Sequence, residues 1–276
     1  MAARPSPRTR PPSPRRPARG IATPRSTKQR HTAPPQRPSA AALQQLYDRL
    51  LDAYGPQSWW PAGTELEMVL GALLVQNTAW TSARKALDNL TAAGRLQPAA
   101  LLAAPEAEIA ELIRPSGYFN SKARKLKAFA QMLADQTDGD LNALLAKPLH
   151  ELRPLLLATH GFGPETADAV CLFAARHPTF VIDAYTRRIL DRLDLVTDKP
   201  SYAALQATFM DALPPRVPLY AEYHGLLVVH AKQTCTKKPQ CGACPLLDLC
   251  PTGQAETGLI AISPADTNTP PADWNG

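Results

Sequence analysis

The sequence predicts an all-α protein, and three observations carry that expectation. Apolar residues recur at helical spacing through the middle of the chain. Period-two alternation is scarce, its one strand-like run being Thr179-Phe180-Val181-Ile182, too short to found a sheet. Prolines stand where helices would open, at Pro154 and Pro164. With 276 residues, 45% of them hydrophobic, the chain can bury one large core or two modest ones.

From the N-terminus, residues 1–40 hold nine Arg and Lys28, ten prolines, and no Asp or Glu. Such a segment cannot bury enough apolar surface to offset its ordering entropy, so we expect a disordered basic tail. A mobile polycation of this kind gathers phosphates without sequence preference; it serves equally as a solubilising extension. The chain's +6, less these ten charges, leaves −4 on the rest, so any nucleic-acid surface there must be local. No apolar signal core follows the tail and no run approaches membrane-spanning length, which predicts a cytoplasmic or nucleoid protein with no membrane partner.

Two helical stripes come next. Leu66, Val69, Leu70, Leu73 and Leu74 form one. Leu126, Phe129, Ala130 and Leu133 form the other, with Lys122, Arg124, Lys125 and Lys127 left for a solvated side. A short helix is expected from Pro154 to Thr159. His160-Gly161-Phe162-Gly163 breaks it, and Pro164 opens another whose buried stripe is Ala167, Val170, Cys171 and Ala174. Helix, Gly-x-Gly turn and helix make a helix-hairpin-helix candidate over about 154–175. Its glycines allow close backbone approach, and the free N–H groups of the second helix face a phosphate. Asp183 then precedes a helical run from Thr186 to Leu193, where a carboxylate serves as an N-cap or as a reacting group.

Four of the five cysteines cluster as Cys235-x5-Cys241-x2-Cys244-x5-Cys250. In a chain read as intracellular they argue for metal rather than disulfides, and their spacing fits either tetrahedral zinc or a [4Fe-4S] cluster. Cys171 falls on a buried stripe and reads as core. From about Thr252 to residue 276 the composition again suggests a flexible tail.

These segments together resemble the endonuclease III superfamily of helix-hairpin-helix DNA glycosylases. Gly161-Phe162-Gly163-Pro164-Glu165-Thr166-Ala167 looks like the family hairpin, and Val181-Ile182-Asp183 like the segment carrying its catalytic aspartate. Tyr223-His224-Gly225 through His230 into the cysteine run resembles its iron–sulfur loop, with five residues rather than the usual six between the first two cysteines. Pro56 to Pro61, Gly71 to Trp80 and Arg114 to Lys122 are similar to the 3-methyladenine glycosylase branch.

The resemblance implies a two-lobed fold: residues 64–178 as a six-helix lobe, and 41–63 with 179–251 as a cluster lobe. It implies a monomer that acts on duplex DNA containing a damaged base, with Asp183 catalytic. A [4Fe-4S] cluster, or alternatively zinc, would sit on Cys235, Cys241, Cys244 and Cys250. Lys237 and Lys238, with Gly161, Phe162, Gly163 and Thr166, would meet DNA, and Gln76 and Asn77 would fill the gap left by the extruded nucleotide. Trp59 or Trp60 would stack on one face of the base and Trp80 on the other. Glu165 stands where bifunctional members carry the Schiff-base lysine. A carboxylate forms no imine, so the resemblance implies a monofunctional enzyme that removes alkylated bases. The rivals are a bifunctional glycosylase/lyase acting on oxidised pyrimidines, an adenine-glycosylase type of enzyme, and a non-catalytic metal-containing DNA-binding protein.

Overall fold

The computed structural model describes residues 38–60, 62–196 and 199–259; most of the basic tail and the last 17 residues lie outside them. The described residues form helices and connecting loops with no strand. No helix among them is long and apolar enough to cross a membrane.

Helix α1 (Ala40–Tyr54) starts where Ser39 accepts the N–H of Ala42, and it ends at Gly55, whose φ of +67° suits glycine. α2 (Glu65–Leu74) is capped by Thr64 and is buried on every side from Met68 to Leu74, so the expected stripe is in fact a central helix. α3 (Trp80–Ala92), α6 (Phe119–Thr137) and α9 (Pro164–Ala169) pack against it, with α4 (Pro98–Ala103), α5 (Glu106–Leu112) and α7 (Leu141–Leu145) on α6 and α8 (Leu149–Ala158) on α9. α9 runs on into a π-helical turn at Val170–Ala174. The second group is α10 (Ala184–Arg192), α11 (Tyr202–Ala212), α12 (Val217–Gln233) and α13 (Pro251–Glu256), with α1 packed on α12. The π-helical turn touches both α2 and α12 and so joins the groups.

Three expectations need correction. Pro154 lies inside α8 rather than at its start: the helix opens a turn earlier at Leu149, and the hydrogen bond that Pro154 cannot make falls to the exposed His150. The C-terminal tail begins later than Thr252. Cys250 caps α13 through Gly253 N–H, and Gly253 is buried against Leu247 and Cys250. The lysines of α6 are not a free solvated face either. Lys122 is 1% exposed and donates to the carbonyls of Leu74 (2.9 Å) and Ser116 (2.7 Å). Lys127 likewise meets the carbonyls of Leu101, Leu102 and Ala104, leaving only Arg124 exposed. Long aliphatic stems let these residues cross apolar surface to reach carbonyl groups at the ends of neighbouring helices. For Lys122, burial pushes the amine down to about 8.

Candidate active site at the helical hairpin

The loop between α8 and α9 makes the hairpin, and its two glycines do different work. Gly161 has φ +103°, and a Cβ there would lie 2.5 Å from Cγ of Lys125, so both backbone and packing demand glycine. A Cβ on Gly163 would meet nothing of the protein within 4 Å. That side of the loop is open to an outside group. No side chain caps the first turn of α9, leaving its backbone donors for such a group.

Phe162 is not at this surface. It is 5% exposed, its ring 6.0 Å from that of Phe129, so it anchors the hairpin to α6. Thr166 is also buried, because its hydroxyl accepts a hydrogen bond from Gln76 Nε2 at 2.9 Å. The same nitrogen donates to the Gly161 carbonyl at 3.0 Å, and Gln76 Oε1 accepts from Lys125. Gln76 is therefore tied to the hairpin in this DNA-free structure. Its neighbour Asn77 is exposed, in a left-handed conformation with φ 55°.

Sequence reasoning also did not single out an exposed residue on the loop that precedes α6. Tyr118 is 71% exposed with φ 48°, and Lys122 bridges its loop to the end of α2. An exposed aromatic ring held on a left-handed backbone has a cost of about 1–3 kcal/mol, which solvent contact alone does not explain.

Asp183 caps α10. Its Oδ1 accepts the backbone N–H and the hydroxyl of Thr186, both at 2.7 Å. Among the described residues Oδ2 receives no hydrogen bond, and it is not sealed from solvent. Capping thus occupies one oxygen and leaves the other for chemistry. Glu165, on the first turn of α9, is reachable from solvent yet crowded by protein. Loss of hydration, and then the charge of Asp183, push its carboxyl up to about 7, against the pull of Arg187. The hairpin helix and the α10 cap thereby bring two carboxyl groups into electrostatic contact.

An aromatic cluster adjoins them. Trp59, Trp60, Trp80, Phe173 and His224 have successive ring centroids 5.4–6.5 Å apart. Trp60 and Trp80 meet edge to face at 87°, so they do not form the parallel slot expected for a base. The adjacent Trp59 and Trp60 both enter the cluster, with their rings 6.0 Å apart at 77°. Glu222 receives the backbone N–H groups of Gln57 and Ser58, and Gly225 leaves room for Trp59, whose Cβ would lie 2.9 Å from an added Cβ. Burial holds the His224 ring neutral against the pull of Asp183, and its N–H meets the Val181 carbonyl. The Nε1 atoms of Trp59 and Trp60 and Nδ1 of His224 are buried without partners.

At its far end α10 reaches the cysteines. Arg188 donates to the Cys235 carbonyl, and Arg192 to Cys235 Sγ at 3.2 Å. Backbone N–H groups of Leu246 and Gly253 point at the sulfurs of Cys244 and Cys250. Cys235, Cys241, Cys244 and Cys250 line one cavity with Ile189, Leu193 and Leu246. Among the described residues no three His, Cys, Asp or Glu side chains are close enough to hold a single ion. Lys237 and Lys238 are exposed on the loop between the first two cysteines.

Comparison with known proteins decides the family. The model of the HhH-GPD superfamily base excision DNA repair proteins matches residues 70–215. The chain belongs to this family. It is a DNA glycosylase of the HhH-GPD type, and the matched span includes both the hairpin and Asp183. It is 39% identical to a putative DNA repair glycosylase of Methanocaldococcus jannaschii over 209 residues, 75% of this chain and 95% of that one. A non-covalent endonuclease III–DNA complex shares the fold with TM-score 0.70 at 22% identity, covering 80% of this chain and 99% of that one. The Helicobacter pylori 3-methyladenine DNA glycosylase bound to 1,N6-ethenoadenine gives TM-score 0.57 at 28% identity, covering 70% and 95%.

Proposed function

We propose that this HhH-GPD glycosylase is monofunctional: it hydrolyses the N-glycosidic bond of an alkylated, 3-methyladenine-like base in duplex DNA and leaves the strand intact. The observation that carries the reading is the pairing of Asp183 with Glu165 in the place of the Schiff-base lysine. The hairpin's backbone donors grip a phosphate, which fixes position without reading sequence. Asn77 and Tyr118 enter the stack beside the extruded nucleotide, whose flipping costs a few kcal/mol.

Asp183 then acts at the sugar. The free Oδ2 stabilises positive charge on the deoxyribose as the bond to the base lengthens, and it orients the attacking water. Glu165, with its carboxyl pushed up to about 7, is about half protonated near neutral pH, and in that form it can hydrogen bond the departing base, which leaves as a neutral molecule because the alkylated purine is already cationic. Release therefore slows as pH rises above about 7. The aromatic cluster supports the cationic-base reading, since stacking and cation–π contact contribute about 0.5–2 kcal/mol each. A base entering it turns Trp60 or Trp80 aside from their edge-to-face contact.

The cysteine loop fits a [4Fe-4S] cluster better than zinc. Its four cysteines surround a shared cavity, and a guanidinium and backbone N–H groups already point at the sulfurs, as donors do in iron–sulfur sites. In this reading the cluster is structural, and Lys237 and Lys238 contact phosphates.

The test is to incubate the protein with alkylated duplex DNA and identify the freed base by mass spectrometry. The expected product is 3-methyladenine or a related N-alkylpurine; release of oxidised pyrimidines alone contradicts the substrate assignment.

A further inference from the structure

Residues 179–182 have the composition of a strand, but no strand pairs with them among the described residues. A buried backbone needs partners, and here side chains supply them. Gln206 Nε2 donates to the Phe180 carbonyl at 2.8 Å and to Thr179 Oγ1 at 3.0 Å. His224 meets the Val181 carbonyl, and Tyr202 OH accepts the N–H of Ile182 at 3.4 Å. The next residue is Asp183.

These contacts converge on Asp168, which is completely buried. Its carboxylate accepts Arg153 Nε and Nη2 at 2.7 and 3.0 Å, Thr179 Oγ1 at 3.1 Å and Gln206 Nε2 at 2.9 Å. The Tyr202 hydroxyl lies against it too. Asp168 is three residues beyond Glu165 on α9. A single buried node therefore joins the hairpin helix that carries Glu165 to the extended segment that delivers Asp183.

We propose that Asp168 and Gln206 are positioning residues for glycosidic-bond cleavage, locking the 179–182 segment in register with α9 so that Asp183 and Glu165 face one sugar. This rests on the glycosylase function proposed above. Displacing a reacting group by about 1 Å costs as much as a hundredfold in rate. A fold that needed only burial here could use an apolar pair, whereas a charged node with directional donors fixes register.

The test uses the full chain. Gln206→Met keeps the length and removes both donors; Thr179→Val keeps the shape and removes the hydroxyl. Both should slow single-turnover base release about tenfold to a hundredfold, while the dissociation constant for abasic duplex stays within about twofold of wild type. The alkaline limb of the pH–rate profile should also move to lower pH, because Glu165 loses the nearby charge of Asp183. Thr179→Ser restores the donor and should recover most of the rate lost in Thr179→Val. Wild-type rates in both variants overturn the proposal. So does a loss of release that only follows lost binding and melting temperature with an unmoved pH profile. A wild-type chain that frees no base from damaged duplex overturns the glycosylase reading itself, and the positioning role falls with it.

Discussion

Asp183→Asn should lower single-turnover base release by about a thousandfold while leaving the fold and the affinity for abasic duplex nearly unchanged. The separation is possible because capping occupies one oxygen of Asp183 and the proposed chemistry uses the other. Asn caps a helix about as well as Asp, and its carbonyl oxygen can keep the bonds from Thr186 N–H and Oγ1, so stability should stay within about 1 kcal/mol. What Asn lacks is the negative charge on the outward oxygen, which the mechanism requires as the sugar becomes cationic. Asp183→Ala would remove the cap as well and confuse the two effects. Release assays alongside thermal melting and abasic-duplex binding check the prediction; release at the wild-type rate would remove Asp183 from the chemistry.

The second large effect is on stability. With the proposed cluster bound, Cys241→Ser should lower iron content and lower the melting temperature by on the order of 10 °C, since it removes one of the four thiolates that line the shared cavity with Cys235, Cys244 and Cys250. Damage should spread along α10, because Arg188 and Arg192 both donate to the Cys235–Lys237 stretch. Duplex affinity should fall as well, as Lys237 and Lys238 lose their fixed loop. Iron analysis and absorbance near 400 nm on the purified protein, with melting curves, are the readouts. About four irons per wild-type chain agrees with the account; one zinc and no iron contradicts it.

The parts legible in the sequence are those whose meaning is local. The Gly161-x-Gly163 turn, the Asp183 cap and the close spacing of Cys241 and Cys244 each depend on residues a few positions apart. Partners far along the chain stayed hidden. Lys122 reads as one charge on a helix face, and only the carbonyls of Leu74 and Ser116, 48 and 6 residues away, explain its burial. Asp168 gave one faint signal, an acid flanked by alanines on a helix expected to be buried, while its partners Arg153, Thr179 and Gln206 lie on separate elements. The tryptophans were legible as a group but not as a geometry. Whether Trp60 and Trp80 stack in parallel or cross at 87° depends on how α3 meets the chain before α2, which no residue spacing encodes.

The most direct test of hydrolysis by Asp183 without a Schiff base is the fate of the DNA strand. Damaged duplex incubated with the protein, with and without borohydride, should yield free base, an unbroken strand that alkali then cleaves, and no covalent protein–DNA adduct. A nicked strand without alkali, or an adduct trapped by borohydride, would contradict the account.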